Sequence, residues 1–84
     1  MKLDNRIKEL IAVGASITAN CHPCLQYHVS KALESNASNE EIIQAIEVGK
    51  LVRKGAAGKM DKFALSLTKK PVASSADEEC GCGS

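Results

Sequence analysis

Residues 20–28, Asn-Cys-His-Pro-Cys-Leu-Gln-Tyr-His, follow one apolar periodic segment and begin a second one in an 84-residue chain. Cys21 and Cys24 are three residues apart, and His28 follows four residues after Cys24. Positions three and four apart share one face of an α-helix, so a helix that begins near Cys21 would place both thiols and the imidazole on one stripe. Two thiols beside a proton acceptor can exchange electrons as a dithiol–disulfide pair, or they can hold a metal ion.

The sequence on both sides of this stretch predicts an all-α domain built on an antiparallel helical hairpin. Apolar side chains recur at helical spacing over residues 3–18 and again over residues 21–35. Asn20 is the expected N-cap of the second helix, and Pro23 then falls in its first turn, where a missing N–H costs little. No segment predicts a strand, which argues against a thioredoxin fold around the Cys-x-x-Cys motif.

The sequence after the second helix predicts two further helices. Ser38 and Glu41 match a capping box directly before an apolar run, so a third helix is expected to begin there. It should extend to about Lys54, with Gly55 as a stop or kink. A weaker fourth helix is expected over about residues 57–67.

The last part of the chain differs in character from the rest. Residues 69–84 have little apolar content and no periodicity, so we expect residues 1–68 to form the helical domain and residues 69–84 a flexible tail. The tail contains Cys80 and Cys82, which fit a mobile thiol shuttle, transient metal handling or no role at all. The basic stretch from residue 50 to residue 70 contains a single aromatic side chain and is interpreted as a solvated helix face.

Composition limits the size of the core and the kinds of partner. A chain of 84 residues with two aromatic side chains forms one small domain with a thin core, so we expect a homo-oligomer whose subunits complete each other's core. The net charge of +1 creates no field that attracts nucleic acid or membranes. No apolar run reaches the roughly 18 residues of a membrane span, and no signal peptide is visible, so we expect a cytoplasmic protein. Four cysteines in such a chain indicate catalysis or metal binding rather than structural disulfides.

Glu9 is the carboxylate that we expect to orient His28. In a hairpin that turns near residue 20, Glu9 lies eleven residues before the turn and His28 eight residues after it. These separations correspond to about 16 and 12 Å along the two helices, so the side chains could meet across the hairpin. An imidazole that serves as a base needs such a partner, because only one of its two nitrogens should face the thiol.

The combination of Glu9, eleven intervening residues and Cys21-x-x-Cys24-x-x-x-His28 resembles the active-site signature of the alkylhydroperoxidase D-like proteins of the carboxymuconolactone decarboxylase superfamily. The resemblance covers about residues 3–65 and implies an all-α, homo-oligomeric protein. It implies that Cys24 attacks a peroxide and becomes a sulfenic acid, that Cys21 resolves it to a Cys21–Cys24 disulfide, and that His28 and Glu9 form the proton relay. A dithiol or a protein electron donor would then reduce the disulfide, and no cofactor is expected.

Three other interpretations of the cysteines remain open at this point. The chain could be a disulfide reductase or electron carrier without peroxide turnover. Cys21, Cys24 and His28 could bind zinc, with Cys80 or Cys82 as the fourth tetrahedral ligand. The cysteines could also be inert side chains of a small oligomeric helical domain.

Overall fold

The computed structural model describes residues 2–68, and within that range it contains three α-helices and no strand. The helices are α1 (Asn5–Thr18), α2 (His22–Glu34) and α3 (Asn39–Thr68). The predicted all-α class is therefore confirmed. The predicted tail, with Cys80 and Cys82, lies outside the described residues.

The chain divides into two units, residues 1–53 and residues 54–84. The first unit contains α1, α2 and α3 as far as Arg53, and it holds the residues of the predicted site. The described part of the second unit is the remainder of α3. Met60, Phe63 and Leu67 recur there at helical spacing and are exposed. Over residues 2–68, the helices lack the apolar length that crossing a bilayer requires.

The start of α1 is fixed by Asp4. The side chain of Asp4 accepts a hydrogen bond from the Ile7 backbone N–H at 2.9 Å, and the backbone of Asp4 itself is extended. Such an N-cap satisfies one of the donors that a helix start leaves without a partner. The predicted start at residue 3 was therefore two residues too early, because apolar periodicity continues past the capping residue.

The turn between α1 and α2 is short, because Ala19 is the C-cap of α1 and Cys21 is the N-cap of α2. Asn20 has a left-handed backbone with φ of 56°, and its N–H donates to the Ile17 carbonyl at 3.1 Å, while the Cys21 N–H donates to the Ser16 carbonyl at 3.1 Å. These two bonds form the Schellman motif that ends α1. The predicted role of Asn20 as an N-cap is wrong, because Asn20 is the left-handed residue of that motif, a position that asparagine tolerates better than most residues. Cys21 caps α2 instead.

The turn between α2 and α3 repeats the same motif with one more residue. Asn36 has φ of 73° and donates to the Leu33 carbonyl at 3.1 Å, and Ala37 donates to the Ala32 carbonyl at 3.0 Å. Ala32 and Ala37 are both buried, so the apolar contact that often accompanies this motif joins the turn to the core. Because Ser38 follows as a separate capping residue, this turn does not combine the end of one helix and the N-cap of the next in a single residue.

The predicted capping box at the start of α3 is confirmed. The Glu41 N–H donates to Ser38 Oγ at 3.1 Å, and the Ser38 N–H donates to Glu41 Oε1 at 3.0 Å. The second carboxylate oxygen of Glu41 pairs with the guanidinium of Arg6, which ties the start of α1 to the start of α3. The hydrogen bond from the Ser38 backbone, helped by the charge of Arg6, holds the pKa of Glu41 below its ordinary value of 4.5.

The core of the first unit is small. Its buried apolar side chains are few, and partly buried neighbours complete it. The buried members are Val13, Ala32, Ala37 and Ile42, and the neighbours packed against them are Leu10, Leu25, Val29, Ala45 and Ile46. All three helices therefore contribute to one core, as the apolar periodicity predicts.

α1 and α3 meet through glycine, with their backbones in direct contact. A Cβ atom added to Gly49 would lie 2.5 Å from the Gly14 carbonyl oxygen and 2.8 Å from Ile17 Cβ. The hydroxyl of Thr18 lies 3.1 Å from the Gly49 carbonyl oxygen and 3.2 Å from that of Gly14. Only glycine fits at position 49, so this contact fixes the position of α3 relative to the end of α1.

α3 continues where the sequence predicted a stop. The predicted end near Lys54 and the separate helix over residues 57–67 are wrong, since one helix covers both. A glycine inside a helix costs only about 1 kcal/mol relative to alanine, and Gly55 and Gly58 flank two alanines, the strongest helix formers. No proline interrupts this segment, so the two glycines weaken the helix without ending it.

We predict that Gly49→Ala destabilises the protein severely. The added methyl group would collide with the backbone of α1, and overpacking of this kind costs about 3 kcal/mol or more when backbone must move. Urea unfolding followed by circular dichroism would measure the loss.

Gly55→Ala is the matched control, because it makes the same chemical change in the same helix. A Cβ atom at Gly55 meets no other atom within 4 Å. This variant should gain about 0.5–1 kcal/mol from helix propensity. Equal effects of the two substitutions would show that the close approach of α1 and α3 is absent in solution.

Candidate active site

Cys21 and Cys24 form a disulfide at the start of α2. Their Cα atoms are 5.3 Å apart, within the range that disulfides span without backbone movement. Cys21 occupies the N-cap position, and its sulfur accepts a hydrogen bond from the Cys24 backbone N–H at 3.3 Å. Pro23 lies in the first turn of α2, as predicted, where its missing N–H removes no helical hydrogen bond.

The two sulfurs differ in their surroundings. Cys24 is exposed, whereas Cys21 is half-buried in the turn. The Cys21 sulfur occupies the position of a capping oxygen, where the N–H groups and the dipole of a helix start favour negative charge by about 0.3–1 kcal/mol. After reduction, Cys24 is therefore the thiol that a large reagent reaches first, and Cys21 is the thiol whose anion α2 stabilises.

Glu9 and His28 meet across the hairpin. His28 Nδ1 lies 2.7 Å from Glu9 Oε1, and the two side chains are 30% and 22% exposed. A carboxylate only accepts hydrogen bonds, so the Nδ1–H of a neutral His28 donates to Glu9 and Nε2 remains as the proton acceptor. The expected contact between these residues is present, while their catalytic roles stay predictions.

The imidazole of His28 is held from a second side. The ring of Tyr27 packs against it with centroids 5.0 Å apart and planes at 81°, and the ammonium of Lys31 lies 5.6 Å from the centroid of Tyr27. His28 follows Cys24 by one helical turn on the same face of α2. The oriented imidazole and the exposed cysteine therefore share one stripe of the helix.

Arg53 contacts the turn that carries Cys21, and the sequence did not predict this. Its Nη1 donates to Asn20 Oδ1 at 2.9 Å and to the Ile17 carbonyl at 3.3 Å. The interpretation of the basic stretch as a solvated face is wrong at this position. The available signal was spacing, because Arg53 follows Gly49 by one helical turn and so lies on the side of α3 that packs against α1.

The described residues contain no cluster of three or more histidine, cysteine or acidic side chains that could hold a metal ion. The sulfurs of Cys21 and Cys24 are bonded to each other, and one nitrogen of His28 is engaged by Glu9. Zinc binding would therefore require reduction of the disulfide and ligands from elsewhere.

Comparison with known proteins gives a family for this chain. The model of the carboxymuconolactone decarboxylase family matches residues 1–63. A protein of Paracoccus denitrificans named "Uncharacterized protein 4 in cox locus" is 44% identical over 55 residues, which are 66% of this chain and 50% of the relative. An uncharacterized protein of Cupriavidus necator is 33% identical over 42 residues, 50% of this chain and 37% of the relative. The chain thus spans half or less of the length of these relatives, and no solved structure matches it significantly.

We predict that Glu9 fixes the tautomer of His28. In the wild-type protein near neutral pH, the neutral imidazole should carry its proton on Nδ1, because that nitrogen faces the carboxylate. Glu9→Gln presents an amide that can donate as well as accept, so both tautomers should become populated. Nitrogen chemical shifts of histidine labelled with 15N distinguish the two forms.

His22 supplies an internal control, because it is exposed and is the one other histidine of the chain. Its signals should not change in the Glu9→Gln variant. Identical His28 signals in the wild-type and Glu9→Gln proteins would mean that the carboxylate does not orient the ring.

Proposed function

This chain belongs to the carboxymuconolactone decarboxylase family, and we propose that it is a thiol-dependent peroxidase that reduces hydroperoxides through Cys24 and Cys21. Family membership and the cysteine pair are compatible with a redox function. The observation that carries the finer proposal is the 2.7 Å contact between Glu9 and His28, which supplies an oriented base on the helix face of Cys24. A structural disulfide has no need of such a base.

Oxidation begins at the exposed thiol. Nε2 of His28 takes the proton of Cys24, because the thiolate and not the thiol is the nucleophile. The Cys24 sulfur attacks the terminal oxygen of the hydroperoxide, a sulfur–oxygen bond forms, and the oxygen–oxygen bond breaks. The leaving alkoxide takes the proton back from His28 and departs as an alcohol, which leaves Cys24 as a sulfenic acid.

The second step closes the disulfide. The Cys21 thiolate, favoured at the start of α2, attacks the Cys24 sulfur. A sulfur–sulfur bond forms, and the hydroxyl group departs as water with the proton that Cys21 released. In total, one hydroperoxide and two thiols give one alcohol, one water and one disulfide.

Return to the dithiol requires an external reductant. The Cys24 sulfur is the exposed end of the disulfide, so a thiolate of a dithiol or protein donor attacks there, and Cys21 leaves as the thiolate. The second thiol of the donor then releases Cys24 and leaves the donor oxidised. We place this cycle in the cytoplasm, where such reductants keep thiols reduced.

We also propose that the chain functions as a homo-oligomer. The buried apolar core of the described residues is small, while Ile11, Leu33 and Ile43 are exposed by about half. A shallow, largely apolar groove of about 510 Å³ follows one face of α2 and is lined by His22, Leu25, Gln26, Val29, Ser30 and Leu33. A second copy that covers these surfaces would supply the burial that a chain of this size lacks.

Peroxide oxidation of the reduced protein should follow the order of steps given above. One equivalent of peroxide should produce a Cys21–Cys24 disulfide, detected by peptide mapping. Cys24→Ser should abolish the reaction, and Cys21→Ser should stop it at a Cys24 sulfenic acid that dimedone traps. His28→Ala should slow oxidation by about 10²-fold, the usual lower range for loss of a general base.

His22→Ala is the matched control, because His22 is exposed and has no part in the relay. It should oxidise at the wild-type rate. Thiols that exchange with a small disulfide but stay reduced in peroxide would make the chain a disulfide reductase or electron carrier. Purified protein that contains stoichiometric zinc and unfolds without it would replace both redox functions with a metal-binding one.

We predict that the full chain sediments as an oligomer. Leu33→Glu would place a charge within the α2 groove and should shift the mass toward that of the monomer, since an unpaired charge is costly to bury. Sedimentation equilibrium measures both masses, with Lys54→Glu on exposed α3 as the control. A wild-type monomer at micromolar concentration would overturn the proposed assembly.

A further inference from the structure

The position of Cys21 depends on two helix ends that share it. The N–H of Cys21 completes the motif that ends α1, and the sulfur of Cys21 caps α2. Asn20, the residue before it, holds a left-handed backbone. Such a conformation costs about 1–2 kcal/mol in most residues with a side chain and less in asparagine, and contacts from outside the turn help to keep it in a single conformation.

Arg53 supplies contacts of that kind. One guanidinium nitrogen donates both to the Asn20 side chain at 2.9 Å and to the Ile17 carbonyl at 3.3 Å. The carbonyl belongs to the last turn of α1, where a positive charge is favourable against the helix dipole. The same nitrogen therefore joins the end of α1 to the residue that sets the direction of the chain into Cys21.

The contact between Gly49 and α1 fixes the position from which the Arg53 side chain extends to the turn. Gly49, one turn earlier, lies in backbone contact with α1, and its carbonyl accepts a hydrogen bond from Thr18. α3 therefore cannot move away from the turn without breaking the close contact between α1 and α3. A long side chain anchored this way loses less conformational freedom on making its hydrogen bonds than one on a mobile element.

We propose that Arg53 is a positioning residue that holds Cys21 where it can form the disulfide with Cys24. The inference rests on the proposed redox function of the cysteine pair and adds to it a residue that contacts neither sulfur. Arg53 acts on the step in which Cys21 approaches Cys24, and it leaves the first attack of Cys24 on an oxidant unchanged.

The physical quantity that Arg53 controls is the effective concentration of Cys21 at Cys24. Closing a disulfide between two thiols costs less when their backbones already stand at the required distance. Without the two hydrogen bonds from Arg53, the Asn20–Cys21 backbone samples more conformations in the dithiol form. Closure then becomes slower and less favourable, while the intrinsic chemistry of the sulfurs stays the same.

Equilibration of the full chain with reduced and oxidised glutathione measures this quantity without peroxide. In that reaction, two reduced glutathione molecules convert the protein disulfide into a dithiol and one oxidised glutathione. Arg53→Ala should lower the equilibrium constant for disulfide formation by about three- to tenfold, the loss expected for hydrogen bonds from a charged donor that is only partly buried. The rate at which the Cys24 sulfenic acid closes to the disulfide should fall by a similar factor.

A residue with a purely structural role would not move this readout. Such a residue would destabilise the oxidised and reduced proteins equally, and the equilibrium with glutathione would then stay at the wild-type value. Urea unfolding of both forms completes the thermodynamic cycle. Arg53→Ala should destabilise the oxidised form more than the reduced form, by the amount that the glutathione equilibrium reports.

Two further variants keep the test decisive. Lys50→Ala removes a positive charge from the same helix, at an exposed side chain that pairs with Glu47, and should leave the equilibrium unchanged. Asn20→Gly keeps the left-handed backbone and removes the oxygen that accepts from Arg53. It should weaken disulfide formation and reduce the additional effect of Arg53→Ala, and it remains available if Arg53→Ala fails to fold.

The outcomes separate this proposal from the proposed peroxidase function. Wild-type equilibrium constants in both Arg53→Ala and Asn20→Gly would overturn the positioning role, even if peroxide is consumed. A lowered constant in a protein that ignores peroxide would uphold the positioning role and overturn the peroxidase. Cysteines that do not pair in oxidised glutathione would overturn both.

Discussion

The turn at Asn20 and Cys21 is the constraint on which the site depends. α1 ends at Thr18 and α2 begins at His22, so Cys21 satisfies the end of the first helix with its backbone N–H and the start of the second with its sulfur. Because both helices are rigid, this turn also sets the register between them. That register brings Glu9 to His28, far from the turn along both helices.

This register depends on an ordered turn, and contacts from α3 restrain the turn. A glycine contact that admits no side chain fixes α3 against α1, and Arg53 extends from the same face to the left-handed residue of the turn. The core alone is too small to impose such precision, since four apolar side chains of the described residues are buried. Backbone contact and polar bonds therefore replace bulk packing as the source of order near the disulfide.

Much of this arrangement could be predicted from sequence, because it follows from short-range periodicity. The Ser38–Glu41 capping box and the meeting of Glu9 with His28 depend on residue spacing within regular helices. The errors arose where two local preferences compete. Asparagine is favoured both as an N-cap and in the left-handed conformation. Because Cys21 caps α2, Asn20 adopts the left-handed conformation that ends α1. Gly55 is a frequent helix end, but the alanines after it favour continuation.

Contacts between elements that are distant in the sequence could not be predicted. Arg53 lies in a basic stretch whose sequence indicates a solvated helix face. Its contact with the end of α1 can be inferred only once Gly49 is known to touch α1. No local pattern reports such a contact, because either glycine alone is compatible with an ordinary exposed helix position.

The two sulfurs differ in their exposure and in the stabilisation that α2 gives to a negative charge. In a Cys-x-x-Cys pair at a helix start, the N-terminal sulfur receives the stabilisation of the helix, and here that sulfur is the less exposed one. The exposed sulfur instead has the oriented histidine one turn along its own face. Nucleophilic attack on a bulky oxidant requires access and a base, which favours Cys24. Departure as a thiolate requires stabilised negative charge, which favours Cys21. In the proposed cycle, the same geometry therefore serves oxidation and reduction, because access and a base favour attack by Cys24 and the start of α2 favours departure of Cys21.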